Sequence, residues 1–188
     1  PQWLDDTGIT TLVASASVFR GLARTLPPER RFDGIRAVRI ASEMATADDF
    51  AAFKRHFPPG CRFVHSYGCS EVGNVAQHVL SHDDMVAPGR LPVGAPADDL
   101  VVTIEDDAGR ALPPGESGTI VIAGGDLAAG YWREPVLTAE RFETLAGGRR
   151  RFRSGDRGRF DADGRMVLAG RGDSQVKIAG QRVELAAV

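Results

Sequence analysis

The first ninety residues alternate short apolar runs with segments of helical spacing, the pattern of β-α-β units. "GITTLVASASVFRGLARTL" predicts a strand, a loop of small residues and a helix in which Val18, Leu22 and Leu26 recur at helical intervals. "GIRAVRIAS" predicts a second strand that ends in small residues. In "TADDFAAFKRHFP", Thr46 stands as N-cap, Asp48 and Asp49 occupy the first turn, and Pro58 enforces a stop, so a helix is expected. "CRFVHSYG" predicts a third strand, and this order implies a parallel sheet covered by helices. From about Pro92 the texture changes to short β runs, "LVVTIED", "GTIVIAG", "RFRSGDRGRFD" and "RMVLAGRGD", with "DDAGR" and "DADGR" as turns. "QVKIAGQRVEL" reads as a hairpin about Ala179 and Gly180. The fold class is therefore α/β: part of a parallel sheet with helices, then a small antiparallel β-barrel-like subdomain and a terminal hairpin.

Composition narrows the classes of function. The 188 residues, 43% hydrophobic, suffice for one ordinary domain or two small ones with a real core. A net charge of -2 leaves no excess positive charge for nucleic acid or anionic membranes, and the basic run "GGRRRFR" reads as a solvated loop or strand edge. Cys61 and Cys69 have neither disulfide-framework nor zinc-knuckle spacing, which fits a reducing cytoplasm. No apolar run reaches membrane-spanning length. A start without Met and a stop just after the hairpin lead us to expect a piece of a longer chain.

Candidate chemistry lies in dispersed groups. In "HSYGCSEVG" an aromatic face, Tyr67, can stack on a purine, the Ser70 hydroxyl can bond a phosphate oxygen, and the Glu71 carboxylate can hold Mg²⁺ against phosphate. Asp156 can accept from vicinal ribose hydroxyls, and Arg171 offers a fixed fork of donors. Taken singly, "SGD" at 154–156 is equally a turn whose Asp bonds backbone amides, and "GRGD" at 170–173 an exposed loop. His78 and His82, with Asp83 adjacent, have the spacing of a metal pair on a helix but lack a third ligand, so a surface helix end is the expectation. "PPGESGTI" is not the nucleophile elbow, and the glycines of "AGGDLAAG" do not form a dinucleotide fingerprint.

Four motifs together resemble the adenylate-forming superfamily, which includes peptide-synthetase adenylation domains, acyl-CoA synthetases and luciferases. "HSYGCSE" resembles its Asn-x-Tyr-Gly-x-Thr-Glu adenine motif. "AGGDLAAGYWREPVLTAERF" resembles its Gly-Tyr and Thr-x-x-x-Phe segment, and "FRSGD" its Tyr-Arg-Thr-Gly-Asp. "GRGDSQVKIAGQRVEL" resembles Gly-Arg-x-Asp-x-Gln-Val-Lys-Ile-x-Gly-x-Arg-Ile-Glu-Leu, in the form closest to a nonribosomal peptide synthetase. The resemblance implies residues 1–91 as part of the αβ subdomain of the large adenylation core, 92–172 as a β-barrel-like subdomain, and 173–188 as the hinge and start of the small C-terminal domain.

The same resemblance implies roles. Tyr67 would stack on adenine, Ser70 would touch the α-phosphate, Glu71 would coordinate Mg²⁺, and Asp156, assisted by Arg171, would hold the ribose. His65 stands at the usual Asn, and Asp173 matches the hinge. Ala41, Ser66, Asn74 and Val75 match acyl-pocket positions, with "IASE" in place of the commoner Gly-Gly-Glu. Asn74 is read either as a bond to a polar substrate group or as a satisfied structural amide. The implied reaction is ATP-dependent activation of a carboxylic or amino acid as acyl-adenylate for a carrier-protein phosphopantetheine thiol, in the cytoplasm. The alternatives are coenzyme A as acceptor, or a non-catalytic nucleotide- or partner-binding relative. The phosphate loop and the C-terminal catalytic Lys are expected outside residues 1–188, so the isolated segment is expected to be inactive and to require the rest of the domain.

Overall fold

The computed structural model describes residues 3–172, 175–178 and 181–184, the last two stretches as backbone. Up to Val176 the chain groups into two units, one taking Pro1–Ser66 and His78–Leu91, the other Tyr67–Gln77 and Pro92–Val176.

In the first unit, α1 (Trp3–Asp6), β1 (Thr11–Ala14), α2 (Ala16–Thr25), β2 (Ala37–Ile40), α3 (Ala47–His56) and β3 (Arg62–Cys69) follow in order, β3 running on past Ser66. β1 pairs with β2 and β2 with β3, both in parallel, so that Leu12, Val38 and Phe63 share one register row. Six of the nine phenylalanines, Phe19, Phe32, Phe50, Phe53, Phe57 and Phe63, are buried together in this unit's core. The helix α3 starts where its cap dictates. Thr46 Oγ1 accepts from Asp49 N, and Asp49 accepts from Thr46 N at 2.8 Å, a reciprocal capping box. Asp49, 2% exposed, also takes Arg20 Nε and Nη2 at 2.7 Å each, a two-point pairing that ties α3 to α2. The α2 stripe differs from the expected one: Ala16 and Phe19 are buried, whereas Val18 is 58% exposed. Phe19 carries the larger apolar area and turns the helix toward the core, and Val18 lies about 100° around the axis from it.

The sheet continues beyond its parallel part in the order β1-β2-β3-β4-β5, with β4 (Gly73–Leu80) and β5 (Ala95–Pro96) paired antiparallel. It is therefore a mixed sheet, and β4 was not predicted, because "GNVAQHVL" interleaves Asn, Gln and His without regular alternation. His78 lies in this strand and His82 in the turn after it, so the expected helix end is absent and the two do not share a helix face. The His82 ring stacks on Phe53 at 5.0 Å, and burial, then the Lys54 charge, lowers its pKa. Among the described residues no group of three or more His, Cys, Asp or Glu could hold a metal by itself, and no helix is long and apolar enough to cross a membrane.

Between β2 and α3, "IASE" carries a strained residue: Ser42 adopts φ +67°, in the left-handed region that costs a side chain energy and glycine little. Ser42→Gly is expected to stabilise the protein by about 1 kcal/mol, read as a rise in the urea midpoint at constant slope.

The second unit is built on an antiparallel sheet in the order β10-β9-β7-β6, with β8 on β9. Its strands are β6 (Val101–Glu105), β7 (Gly118–Gly124), β8 (Phe142–Thr144), β9 (Arg150–Phe160) and β10 (Met166–Arg171), and α4 (Pro135–Arg141) precedes β8. The turns "DDAGR" and "DADGR" are built alike. Asp106 Oδ1 accepts from Ala108 N and Arg110 N, Asp161 Oδ1 accepts from Asp163 N and Arg165 N, and Gly109 and Gly164 take positive φ.

The basic run is not a solvated loop. Arg151 donates through Nη2 to both oxygens of buried Glu105 at 2.6 Å and through Nη1 to Glu143 at 2.9 Å, and Arg153 reaches Glu105 at 3.3 Å. Two of its arginines are thus spent on cross-strand ion pairs. β11 (Gln175–Ile178) and β12 (Gln181–Glu184) pair as a two-stranded sheet, as the hairpin reading requires; its turn lies outside the described residues.

Candidate functional site

Tyr67, Asp156 and Arg171 meet in the second unit. The tyrosine lies in β3, as the strand predicted over "CRFVHSYG" requires; it is 4% exposed, and its hydroxyl donates to Asp156 Oδ2 at 2.7 Å. Arg171 Nη1 donates to Asp156 Oδ1 at 2.8 Å. Asp156 lies within β9 rather than in a turn. The β7–β9 register slips between Thr119↔Arg157 and Val121↔Arg153, and Gly155 there has φ +77°. Such a bulge re-aims one side chain out of the regular alternation. Beneath it, Ser154 Oγ donates to Ile120 O at 2.9 Å and accepts from Asp156 N at 3.1 Å, which fixes the backbone of the acid. A second slip in β10, between Leu168 and Gly170, sets Arg171 opposite Asp156. Burial, with the Asp156 charge adding to it, holds the Tyr67 phenol well above its ordinary pKa, so the hydroxyl stays a neutral donor.

Glu71 lies four residues after Tyr67, in the turn between β3 and β4, and is 5% exposed. Tyr131 Oη donates to its Oε1 at 2.7 Å, and Ala128 N donates to its main-chain carbonyl at 2.8 Å. Tyr131 is itself held: its N–H donates to Thr138 Oγ1 at 2.9 Å, and its ring meets Phe142 edge-on at 5.6 Å. The turn is tight. A Cβ at Gly68 would stand 2.2 Å from Gly73 O, and Gly73 has φ +89°, so both glycines are needed where the chain folds back. The neighbouring Cys69 thiol is pushed up to about 12 by burial first and the Glu71 charge second, and is not a nucleophile at neutral pH.

The other expected residues are placed as follows. Ser70 is exposed at the turn, and Asn74 is exposed in β4. Val75 is fully buried in the second unit's core, which leaves the expected pocket wall no surface from this side chain. In the first unit, His65 is 1% exposed and its Nε2 accepts from Ala45 N at 3.1 Å, so the ring supports the loop that follows Ala41 instead of facing solvent. Ser66 Oγ accepts from Arg39 Nε at 2.9 Å and donates to Ile40 O at 3.4 Å. Asp173 lies outside the described residues. Sequence reasoning missed Tyr131, Ser154 and Arg39. For Tyr131 a signal exists, since it is the Tyr of the Gly-Tyr motif at 130–131.

A buried phenol anchored to a carboxylate, an arginine on that same carboxylate and a second buried acid four residues from the tyrosine make up the polar cluster of this unit. The chain belongs to the AMP-binding enzyme family, whose model matches residues 1–132. It is 34% identical over 186 residues to malpibaldin synthetase of Mortierella alpina, covering 97% of this chain and 3% of that protein. It is 38% identical over 128 residues to the D-alanine--D-alanyl carrier protein ligase of Streptococcus equi subsp. equi, covering 68% of this chain and 25% of the ligase. The structure of PA1221, an NRPS protein containing adenylation and PCP domains, superposes with a TM-score of 0.85 at 32% identity, covering 99% of this chain and 38% of that one. The chain thus spans a small part of each relative's length.

Proposed function

We propose that the intact protein carrying this chain is an ATP-dependent, AMP-forming acid–thiol ligase. It activates a carboxylic or amino acid as acyl-adenylate and passes it to the phosphopantetheine thiol of a carrier protein in the cytoplasm. The observation that carries the reading is the convergence of Tyr67 and Asp156, 89 positions apart, on one hydrogen bond beside Arg171. The similarity to a carrier-protein ligase and to an adenylation–PCP protein supports a carrier protein as acceptor in preference to coenzyme A.

The residues act by positioning. Asp156 offers about four acceptor sites on its two oxygens, and Tyr67 and Arg171 use two, so capacity remains for ribose hydroxyls. Tyr67, clamped through its hydroxyl, is the residue assigned to adenine, and Ser70, exposed at the turn, the one assigned to the α-phosphate. Glu71 would hold Mg²⁺. Its carboxylate, held on one oxygen by Tyr131, suits that ion, which typically binds through one or two carboxylates together with substrate phosphates. The metal would neutralise charge developing on the phosphates. Ala41 and Ser66, the latter held by Arg39, border the acid's pocket in this reading. His65 supports its floor. Residues 1–91 and 92–172 would form the core's αβ and barrel-like subdomains, with the swing to the thiol-transfer state at Asp173.

The test is acid-dependent exchange of labelled pyrophosphate into ATP by the intact protein, over a panel of amino, aryl and aliphatic acids. Exchange above background is expected with a narrow subset. A folded protein that binds ATP and exchanges with none of them would favour a non-catalytic relative.

A further inference from the structure

The carboxylate proposed for the metal does not stand alone. Glu71 sits in a three-residue turn, Ser70 to Val72, where a side chain would ordinarily move with its loop. Two contacts from a segment some sixty residues later prevent this: Ala128 N on the Glu71 carbonyl and Tyr131 Oη on Oε1. The segment is stiffened in turn. Tyr131 N is fixed on Thr138 Oγ1 from α4, the ring is seated against Phe142, and Gly130, at φ +145°, brings its backbone so near Thr138 that a Cβ would lie 2.4 Å from Cγ2. A phenol could have satisfied itself at the surface; here it is directed at one oxygen of a carboxylate that is 5% exposed.

We infer that Tyr131 is a positioning residue for Mg²⁺. By holding Oε1, its hydroxyl fixes the Glu71 carboxylate plane, so that the acid meets the metal–nucleotide complex preset and loses little freedom on binding it. Outer partners of ligating carboxylates act in this way, and their loss weakens metal affinity about 10- to 100-fold. This inference rests on the proposed metal role of Glu71 and adds to it the group that sets its geometry. No step of the chemistry passes through Tyr131.

The experiment uses the intact protein, with Mn²⁺ as probe in the presence of α,β-methylene-ATP, followed by paramagnetic resonance. Wild type is expected to bind one ion, Glu71→Gln to lose it, and Tyr131→Phe to bind about tenfold more weakly. In the exchange assay the half-saturating Mg²⁺ concentration should rise by a similar factor in Tyr131→Phe, while the rate at saturating Mg²⁺ recovers. A merely structural tyrosine would lower the rate at all concentrations and leave the metal titration unmoved. Should Tyr131→Phe fail to fold, Thr138→Val removes the anchor of Tyr131 N without touching Glu71 and is expected to shift the titration in the same direction. Wild-type metal affinity in the phenylalanine variant overturns the inference and leaves the role of Glu71 standing. Wild-type affinity in Glu71→Gln overturns both.

Discussion

Asp156→Ala in the intact protein lowers acid-dependent pyrophosphate exchange by about 100-fold or more, because the ribose loses its acceptor and the α-phosphate drifts from the line of attack. The loss extends beyond the ligand. Tyr67 Oη and Arg171 Nη1 both donate to this carboxylate, and the Arg171 side chain is only 15% exposed, so alanine leaves a hydroxyl and a cation without their acceptor in a largely dry place. Breaking such a pair costs about 3–5 kcal/mol when one partner is removed. Urea unfolding should therefore show a marked fall in midpoint together with the loss of exchange. Asp156→Asn separates the two effects. It keeps the shape and one acceptor oxygen but turns an amide donor toward one of the two donors, so exchange should fall nearly as far while more of the stability survives. A folded Asp156→Ala protein with unchanged exchange would remove this residue from the site.

Gly68→Ala is expected to be strongly damaging, costing about 3 kcal/mol, the upper range for overpacking. The added carbon would lie 2.2 Å from the Gly73 carbonyl oxygen, a backbone atom that cannot rotate away. The β3–β4 turn must open to admit it, and Glu71 sits in that turn. Exchange and stability should fall together. Gly21→Ala is the control: it adds the same methyl in the interior of α2, with nothing within 4 Å, and should stabilise by about 0.5–1 kcal/mol. Equal behaviour of the two variants in denaturant titration would refute the close-approach argument.

What could be read beforehand depended on how far apart along the chain the interacting groups lie. The start of α3 was legible because Thr46 and Asp49 are three residues apart and satisfy each other. The Asp106 and Asp161 turns were legible for the same reason. The α2 face was misjudged, since nothing local says that Phe19 outranks Val18. The Glu105 ion cluster was invisible: its arginines lie 46 and 48 positions away and meet it only through the stacking of non-consecutive strands. At the candidate site, motif resemblance named Tyr67, Glu71, Asp156 and Arg171, but not that Tyr67 and Asp156 bond each other or that β-bulges aim the acid. Tyr131 and Glu71, 60 positions apart, belong with the invisible pairs.

Under the proposed function, the pairing of Asp156 with Arg171 also bears on how an anionic nucleotide arrives. A bare carboxylate there would push a triphosphate away over a distance of about 8–10 Å at ordinary ionic strength. With the guanidinium on it, the doublet carries no net charge, so the polyanion meets a dipole and not a like charge. Added salt should then hardly alter the rate at which the sugar end of the ligand reaches its seat.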